Sequence, residues 1–284
     1  MPANADRSSG GVNSEARNRI LLRGFRRNTD TGNWLVRIAA ISDLHIWGPI
    51  SKKLTTEFDE LHERADVLVI AGDITNNGLL VQAERAATLL ERARIPIVAV
   101  LGNHDRRLPR RRGYTTTLEA AGVTFLDGTT AEFGSNIRVG FAGVQGSGGG
   151  FWPQEGPDTI PRRAAQALAV RSRREAARLD AALTRLTTDL KIVVTHVSPT
   201  MTTLGNEPRI KFFLLGNSEL ARVIDRHDVD LVIHGHVHRG NTHGVTPGGT
   251  LVRNTAKNVC REMQYFDAAQ LLEARQAPAI EAIA

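Results

Sequence analysis

The sequence predicts an α/β fold in which a parallel sheet carries helices on its faces. Three observations predict it. From Trp34 onward, short apolar runs alternate with amphipathic stretches of helical period. The first such stretches follow a β-α-β-α-β rhythm, which favours parallel pairing with crossover helices. Acidic, amide and imidazole residues cluster just after the apolar runs, and in an open α/β sheet ligands bind outside the carboxyl ends of the strands.

Taken in order, residues 35–41 read as a buried strand and residues 51–64 as a helix, with Ser51 placed as its N-cap. Residues 67–71 form a second strand, 79–94 a second helix and 95–101 a third strand. Residues 123–126 and 137–142 read as further strands, followed by a glycine-rich loop at 143–150. Residues 161–188, rich in Ala, Arg and Leu, read as one long helix or two. Residues 191–195 and 230–233 are again short buried strands. Residues 242–246 and 250–253 flank Pro247-Gly248-Gly249, a hairpin signal. The alanine-rich end from Ala268 reads as a peripheral helix or a tail. Residues 1–33 are polar without a sustained period, which predicts a mobile leader. With no internal repeat and no linker composition, the expectation is one domain over 34–267, between the leader and a tail at 268–284.

Composition bounds the function. A chain of 284 residues with 41% hydrophobic and 23% charged residues is ordinary for a globular protein that buries a sizeable core. The single cysteine, Cys260, excludes an internal disulfide and suits a reducing compartment. No run approaches the roughly 18 apolar residues of a membrane span. The longest apolar run near the start, Ile20-Leu21-Leu22, falls short of the ~7–15 residues of a signal-peptide core. The expected location is therefore the cytoplasm. The net charge of +6 comes from arginine rather than lysine. Such an excess suits phosphate or nucleic-acid partners, and it also follows from a GC-rich coding bias.

The clusters that carry chemistry are Asp43-Leu44-His45, Gly72-Asp73, Gly102-Asn103-His104-Asp105, Thr195-His196 and His234-Gly235-His236-Val237-His238. Their residue types fit a dinuclear metal centre. Two divalent cations about 3.5–4 Å apart repel strongly, so a bridging anion between them is valuable. Asp73 is the natural bridge. A mixture of Asp, Asn and His favours Mn, Fe or Zn over the Mg or Ca of an all-oxygen set. The glycines at 72, 102 and 235 are expected to permit tight turns that present ligands at the strand ends. Single histidines are usually structural or surface residues, and His62, His227 and His243 are read so. His234 is read equally as a support behind the ligands or as a strand end.

These five blocks, in this order over residues 43 to 238, resemble the calcineurin-like metallophosphoesterase family. The resemblance implies a four-layer sandwich, two packed mixed β-sheets flanked by helices. It implies a phosphoesterase in which Asp43, His45 and His238 hold one divalent ion, Asn103, His196 and His236 hold a second, and Asp73 bridges them. A metal-activated hydroxide would be the nucleophile. His104 would stabilise the transition state or protonate the leaving oxygen, and Asp105 would orient His104 through a hydrogen bond.

In one place the sequence departs from the pattern. Cyclic-nucleotide phosphodiesterases of the family often carry His-His-Pro around the position of His196, where this chain reads Thr195-His196-Val197-Ser198-Pro199. The ligand is kept and its neighbour is not, which weakens cyclic-nucleotide specificity and points to the bacterial phosphodiesterase-related branch. The expected substrate is a small phosphorylated molecule, a diester ahead of a monoester. A nuclease of the same fold is the second reading, disfavoured because little chain follows His238 to form a DNA cap. A scaffold without catalysis is the third, disfavoured by the complete ligand set with His104. Arg106, Arg107, Arg110, Arg111 and Arg112 read as a solvated loop or as a rim that guides phosphate. Arg162, Arg163, Arg171, Arg173, Arg174 and Arg178 read as a solvated helix face. The loop at 146–150 reads as a mobile loop over the site, ahead of a plain surface connection.

Overall fold

The computed structural model of the chain describes residues 36–107, 112–151 and 161–276. The expected leader, residues 1–33, lies outside the described residues. Eleven strands among those described form two sheets.

The first sheet runs in the order β11-β1-β2-β3-β4. Its parallel members are β1 (Arg37–Ile41), β2 (Val67–Ala71), β3 (Ile97–Val100) and β4 (Val123–Phe125). β11 (Gln264–Asp267) closes its edge antiparallel to β1, with Arg37 opposite Asp267. The second sheet runs β5-β6-β7-β8-β10-β9. Here β6 (Val139–Val144), β7 (Leu190–Thr195), β8 (Leu231–His234) and β10 (Leu251–Asn254) are parallel. β5 (Thr129–Phe133) and β9 (His243–Val245) pair antiparallel at its two edges.

The strands read as continuous apolar runs because both faces of each sheet are covered. In β2, Leu68 and Ile70 face the helices, whereas Val67, Val69 and Ala71 face the second sheet. In β7, Ile192 and Val194 face the first sheet, and Val193 faces the other way. The shared inner core, with Val98, Val100, Phe141, Leu231 and Ile233, joins the sheets into one body. Outside the first sheet lie α1 (Lys52–Asp59), α2 (Leu61–Arg64), α3 (Leu80–Leu90) and α4 (Arg112–Ala120). Outside the second lie α5 (Arg162–Arg185) and α7 (Ser218–Ile224). The order of layers is helix, sheet, sheet, helix.

Local signals behave as their physics requires. Ser51 caps α1, its Oγ accepting from Leu54 N at 3.3 Å. The Pro247-Gly248-Gly249 turn joins the antiparallel pair β9 and β10. The segment 161–188 is one helix, α5, not two. Two short helices, α6 (Phe212–Leu215) and α8 (Lys257–Cys260), lie in loops after β7 and β10. The boundary drawn at residue 267 needs correction. α9 (Ala268–Gln276) is a helix whose Ala268 is buried and whose Leu271 and Leu272 pack on the inter-sheet core, so the fold continues through it. Residues 277–284 lie outside the described residues. No helix among the described residues is long and apolar enough to cross a membrane.

Candidate metal centre

Parallel strands bring their carboxyl ends to one side of each sheet, and the two sheets meet there. The first sheet delivers Asp43 and His45 after β1, Asp73 after β2, and Asn103 and His104 after β3. The second delivers His196 after β7, and His236 and His238 after β8. Main-chain bonds lace these ends together. Asp43 N donates to Gly72 O and His45 N to Asp73 O, each at 3.0 Å. Ser42 N donates to Thr255 O beyond β10, at 3.0 Å.

The backbone is strained where the ligand candidates sit. Asp43, His45, Asp73 and His236 have φ between 45° and 68°, and they make up four of the seven described non-glycine residues with positive φ. Such residues cost on the order of 1–3 kcal/mol each and persist only where the surroundings over-determine them, typically at functional sites. The glycine expectation holds for Gly72 alone, whose φ is 85°. Gly102 and Gly235 serve closeness instead. A Cβ at 102 would lie 2.0 Å from Asp73 Oδ1, and one at 235 would lie 2.4 Å from Asp43 Oδ2.

The expected residues converge. Asp43, His45 and His238 offer donor atoms within 4.8 Å of one another, as do Asp73, His196 and His236. His45, Asp73 and His104 form a third such group, so Asp73 is common to two of the three. Asn103 Oδ1 lies 2.9 Å from His196 Nε2. His62, His227 and His243 bond elsewhere, to Asp59 O, Asp180 and Thr242. His234 is the last residue of β8, fully buried, with Nδ1 donating to Gly235 O at 2.8 Å.

The donor set fits cations. His196 Nδ1 donates to Ala71 O at 2.9 Å, which turns the Nε2 lone pair toward Asn103 Oδ1 and toward Asp73 Oδ2 at 3.4 Å. Lone pairs facing one another at that distance demand a proton or a metal ion between them. His45 makes the same point: both its ring nitrogens are buried without a hydrogen-bond partner, and Nε2 stands 3.7 Å from a carboxylate oxygen of both Asp43 and Asp73.

Electrostatics agree. Burial pushes the Asp43 carboxyl up, but hydrogen bonds from His238 and Ser42 and the charge of His196 outweigh it and hold the group below the usual carboxylate range. Burial likewise opposes and His196 enforces the lowering of Asp73. His196 is driven down by burial and up by Asp73 and Asp43, which win and bring it to about 9. Burial and the neighbouring His196 hold His236 near 4. Two buried carboxylates therefore keep their charge and pull positive charge toward themselves.

One expected role is overturned. Asp105 does not orient His104. Its buried carboxylate accepts from Ile74 N, Thr75 N, Thr75 Oγ1, Gly102 N and Tyr114 OH, at 2.6–3.2 Å, which ties the loops after β2 and β3 together. His104 Nδ1 instead donates to the main-chain oxygen of Asn76 at 2.8 Å. A main-chain acceptor leaves no trace in residue identity, so sequence reasoning missed it. It also missed Ser42, whose hydroxyl donates to Asp43 at 2.7 Å, and Tyr114; the first was legible as a polar neighbour of a ligand, the second was not. His104 Nε2 accepts from Arg107 Nη2 at 3.1 Å, so Arg107 reaches the site. Arg110 and Arg111 lie outside the described residues, as does the Arg112 side chain. Arg162, Arg163, Arg173 and Arg174 are exposed, as a solvated face requires, but Arg171 turns toward Gln145 at the end of β6 and Arg178 bonds to Asp127.

Residues 36–240 match the profile of the calcineurin-like phosphoesterases, and the chain belongs to that family. It is accordingly a hydrolase acting on phosphoric ester bonds. No curated protein matches the sequence. Among solved structures, it is similar to the phosphopantetheinyl hydrolase PptH from Mycobacterium tuberculosis, at 17% identity, over 85% of this chain and 93% of that one, with a TM-score of 0.57. It is also similar to TT1561 of Thermus thermophilus, at 16% identity, over 82% of this chain and 99% of that one, with a TM-score of 0.53. Both likenesses concern the fold.

Proposed function

We propose that this protein is a phosphodiesterase that hydrolyses a small phosphorylated substrate with two divalent ions, Mn, Fe or Zn, in the cytoplasm. The observation that carries the reading is the pair of donor groups, Asp43–His45–His238 and Asp73–His196–His236, packed edge to edge with Asp73 facing both. In this reading Asp43, His45 and His238 hold one ion, Asn103, His196 and His236 hold the other, and Asp73 bridges them. When bound, such ions polarise the phosphoryl oxygens and lower the pKa of water to about 7, supplying a hydroxide at neutral pH.

The chain's own residues do the rest. Ala71 O fixes the tautomer of His196, as the partners behind metal ligands commonly do. Asn76 O fixes that of His104, whose Nε2 lies 4.0 Å from Asp73 Oδ2 and faces the space where ester oxygens would bind. Arg107 would steady charge on the phosphoryl group or the departing oxygen, and His104 would join it only with a proton on Nε2 in place of the bond it accepts from Arg107. Elemental analysis after loading with Mn, Fe or Zn, together with turnover of bis-p-nitrophenyl phosphate, tests the proposal. Two ions per chain with metal-dependent release of nitrophenolate is the expected result. A chain that takes up no ion, or takes up two and cleaves no phosphate ester, would sink it.

A further inference from the structure

Most of the large apolar side chains exposed among the described residues stand at one end of the molecule, around the donor cluster. Trp47, two residues beyond His45, is 71% exposed. The loop after β1 is tied to the loop after β2, with Ile46 N donating to Ile74 O and Asn76 N to Ile46 O. Arg85 Nη1 of α3 donates to Trp47 O at 2.6 Å. Trp47 therefore shares this rim with Leu79, Leu80 and Val81, all exposed at the start of α3. Across the cluster, the loop after β7 exposes Leu214 and Ile210, the latter to 64%, and Leu214 O lies 3.3 Å from His236 Nε2. Single exposed apolar side chains are ordinary, whereas apolar clusters gathered at one end mark an interaction surface.

The same end is basic. Helices that follow parallel strands begin there, and a helix N-terminus carries partial positive charge that acids in the first turn usually complement. The first turns of α1, α3 and α5 contain no acid. α1 instead opens on Lys52-Lys53 and α5 on Arg162-Arg163. Arg209 and Lys211 flank Ile210 on the opposite rim. Lys52, Lys53, Arg85, Arg209 and Lys211 are exposed, and none pairs with a carboxylate among the described residues. Glu207, the acid of that second rim, is taken up by Gly205 N and Arg239 N, and the exposed Glu84 stands one turn into α3. At the other end of the strands bases are matched instead, Arg37 with Asp66 and Arg92 with Asp59.

We infer that this end of the molecule is a docking surface for an anionic lipid bilayer. Trp47, Leu79, Leu80, Val81, Ile210 and Leu214 enter the headgroup region, and the surrounding bases meet lipid phosphates. Tryptophan and aliphatic side chains ringed by Lys and Arg suit that depth, where one side of the contact is apolar and the other is anionic. A nucleic acid would use the charge and leave the aliphatic side chains in water. A second copy meeting this one about a two-fold axis would set bases against bases. Docked in this way, the opening of the donor cluster faces the membrane. The inference stands apart from the phosphodiesterase reading, because vesicle binding needs no turnover.

The test is co-sedimentation of the full chain with vesicles of phosphatidylcholine alone, or of phosphatidylcholine and phosphatidylglycerol in roughly equal parts, at about 0.1 M salt. The parent should bind the mixed vesicles at least about tenfold more tightly than the neutral ones. Each base near an anionic surface contributes about fivefold in affinity. Lys52→Glu/Lys53→Glu and Arg209→Glu/Lys211→Glu should therefore each weaken binding to the mixed vesicles at least about tenfold. Leu80→Asp and Ile210→Asp should each weaken it at least about threefold. All these positions are exposed, so the fold tolerates the changes, and if one variant fails to fold, the variants of the other rim decide. A parent that ignores the mixed vesicles overturns the inference. Vesicle binding that survives in every variant lies elsewhere on the chain and overturns it too. A parent that binds single-stranded DNA but no vesicle, with Leu80→Asp without effect, makes the surface a nucleic-acid face. A parent that binds no vesicle and forms a dimer that Leu80→Asp dissociates makes it an interface between copies.

Discussion

The two halves of the donor cluster contain similar residues held in different ways. His196 is fully buried, and Ala71 O anchors its Nδ1. In the other half, the side chains of His45 and His238 are 20% and 35% exposed. Neither ring nitrogen of His45 has a hydrogen-bond partner, and His238 Nδ1 has a long contact of 3.5 Å with Asn258 Nδ2. A ring fixed by a partner behind it needs no reordering when an ion binds, and an unfixed ring does. The half built on Asp73 and His196 is therefore preorganised at His196, and the half built on Asp43, His45 and His238 is the more adaptable one.

Asp73 belongs to both halves, so its loss should have the largest effect. Asp73→Asn removes the charge that faces His45 and His196 alike. The expected loss of affinity for each ion exceeds the roughly 10–100-fold that losing a partner behind a ligand costs. Metal content by elemental analysis measures it. If the variant still binds one ion tightly, Asp73 is no bridge and the halves are separate sites.

His104→Ala comes next, because it separates holding ions from using them. Its Nε2 stands 4.0 Å from Asp73 Oδ2, but its ring hydrogen-bonds to Asn76 O and Arg107. Both ions should stay while turnover falls roughly 10²–10⁴-fold. The loss should shrink for nitrophenolate leaving groups if His104 protonates the leaving oxygen, and should be equal across leaving groups if it steadies charge. Loss of an ion in this variant would move His104 into the ligand set.

The asymmetry itself is sharpened by graded chelation. With an increasing competitor, the ion beside His45 and His238 should leave before the ion beside His196. His45→Ala should retain one ion per chain. His196→Ala should lose the tighter ion and, with it, the stability that this ion adds to the fold. Release of both ions in one step at one chelator concentration would break the comparison between the halves.

The donor residues were legible in the sequence because each follows a short apolar strand, and because parallel strands collect their ends. The preorganisation was not. The anchors of His196 and His104 are the main-chain oxygens of Ala71 and Asn76, whose positions depend on the loops and not on side-chain identity. The strands that went unread share a cause. β5 carries Thr-Thr-Ala-Glu-Phe and β11 Gln-Tyr-Phe-Asp, half-exposed edge strands that lack the continuous apolar run of a buried strand. α4 was missed because its buried anchors among the described side chains, Tyr114 and Leu118, lie in a stretch of Gly and Thr with weak helical propensity. α9 was ambiguous for the opposite reason, its alanines giving no amphipathic contrast.

The smallest expected effect concerns the network behind the site, and it tests whether preorganisation comes from the loops or from the ligands alone. Tyr114 is nearly fully buried and its hydroxyl donates to Asp105 Oδ1 at 2.6 Å, while Thr75 Oγ1 lies 3.0 Å from the same hydroxyl. Burial and the Asp105 charge push the phenol well above its ordinary range, so it stays a proton donor. Tyr114→Phe keeps the ring and removes one of five donors to that carboxylate. The four that remain include Gly102 N and Thr75 N, from the two loops that carry Asn103 and Asp73. Losing one hydrogen bond to a charged acceptor costs about 1.5–3 kcal/mol. At roughly 2–4 °C of melting temperature per kcal/mol for a domain of this size, the variant should melt several degrees lower. Metal stoichiometry and kcat should change by less than about twofold, because the backbone donors still hold the loops. A fall in metal affinity as large as that of His45→Ala, with the melting temperature unmoved, would mean that Tyr114 sets the geometry of the ligands directly.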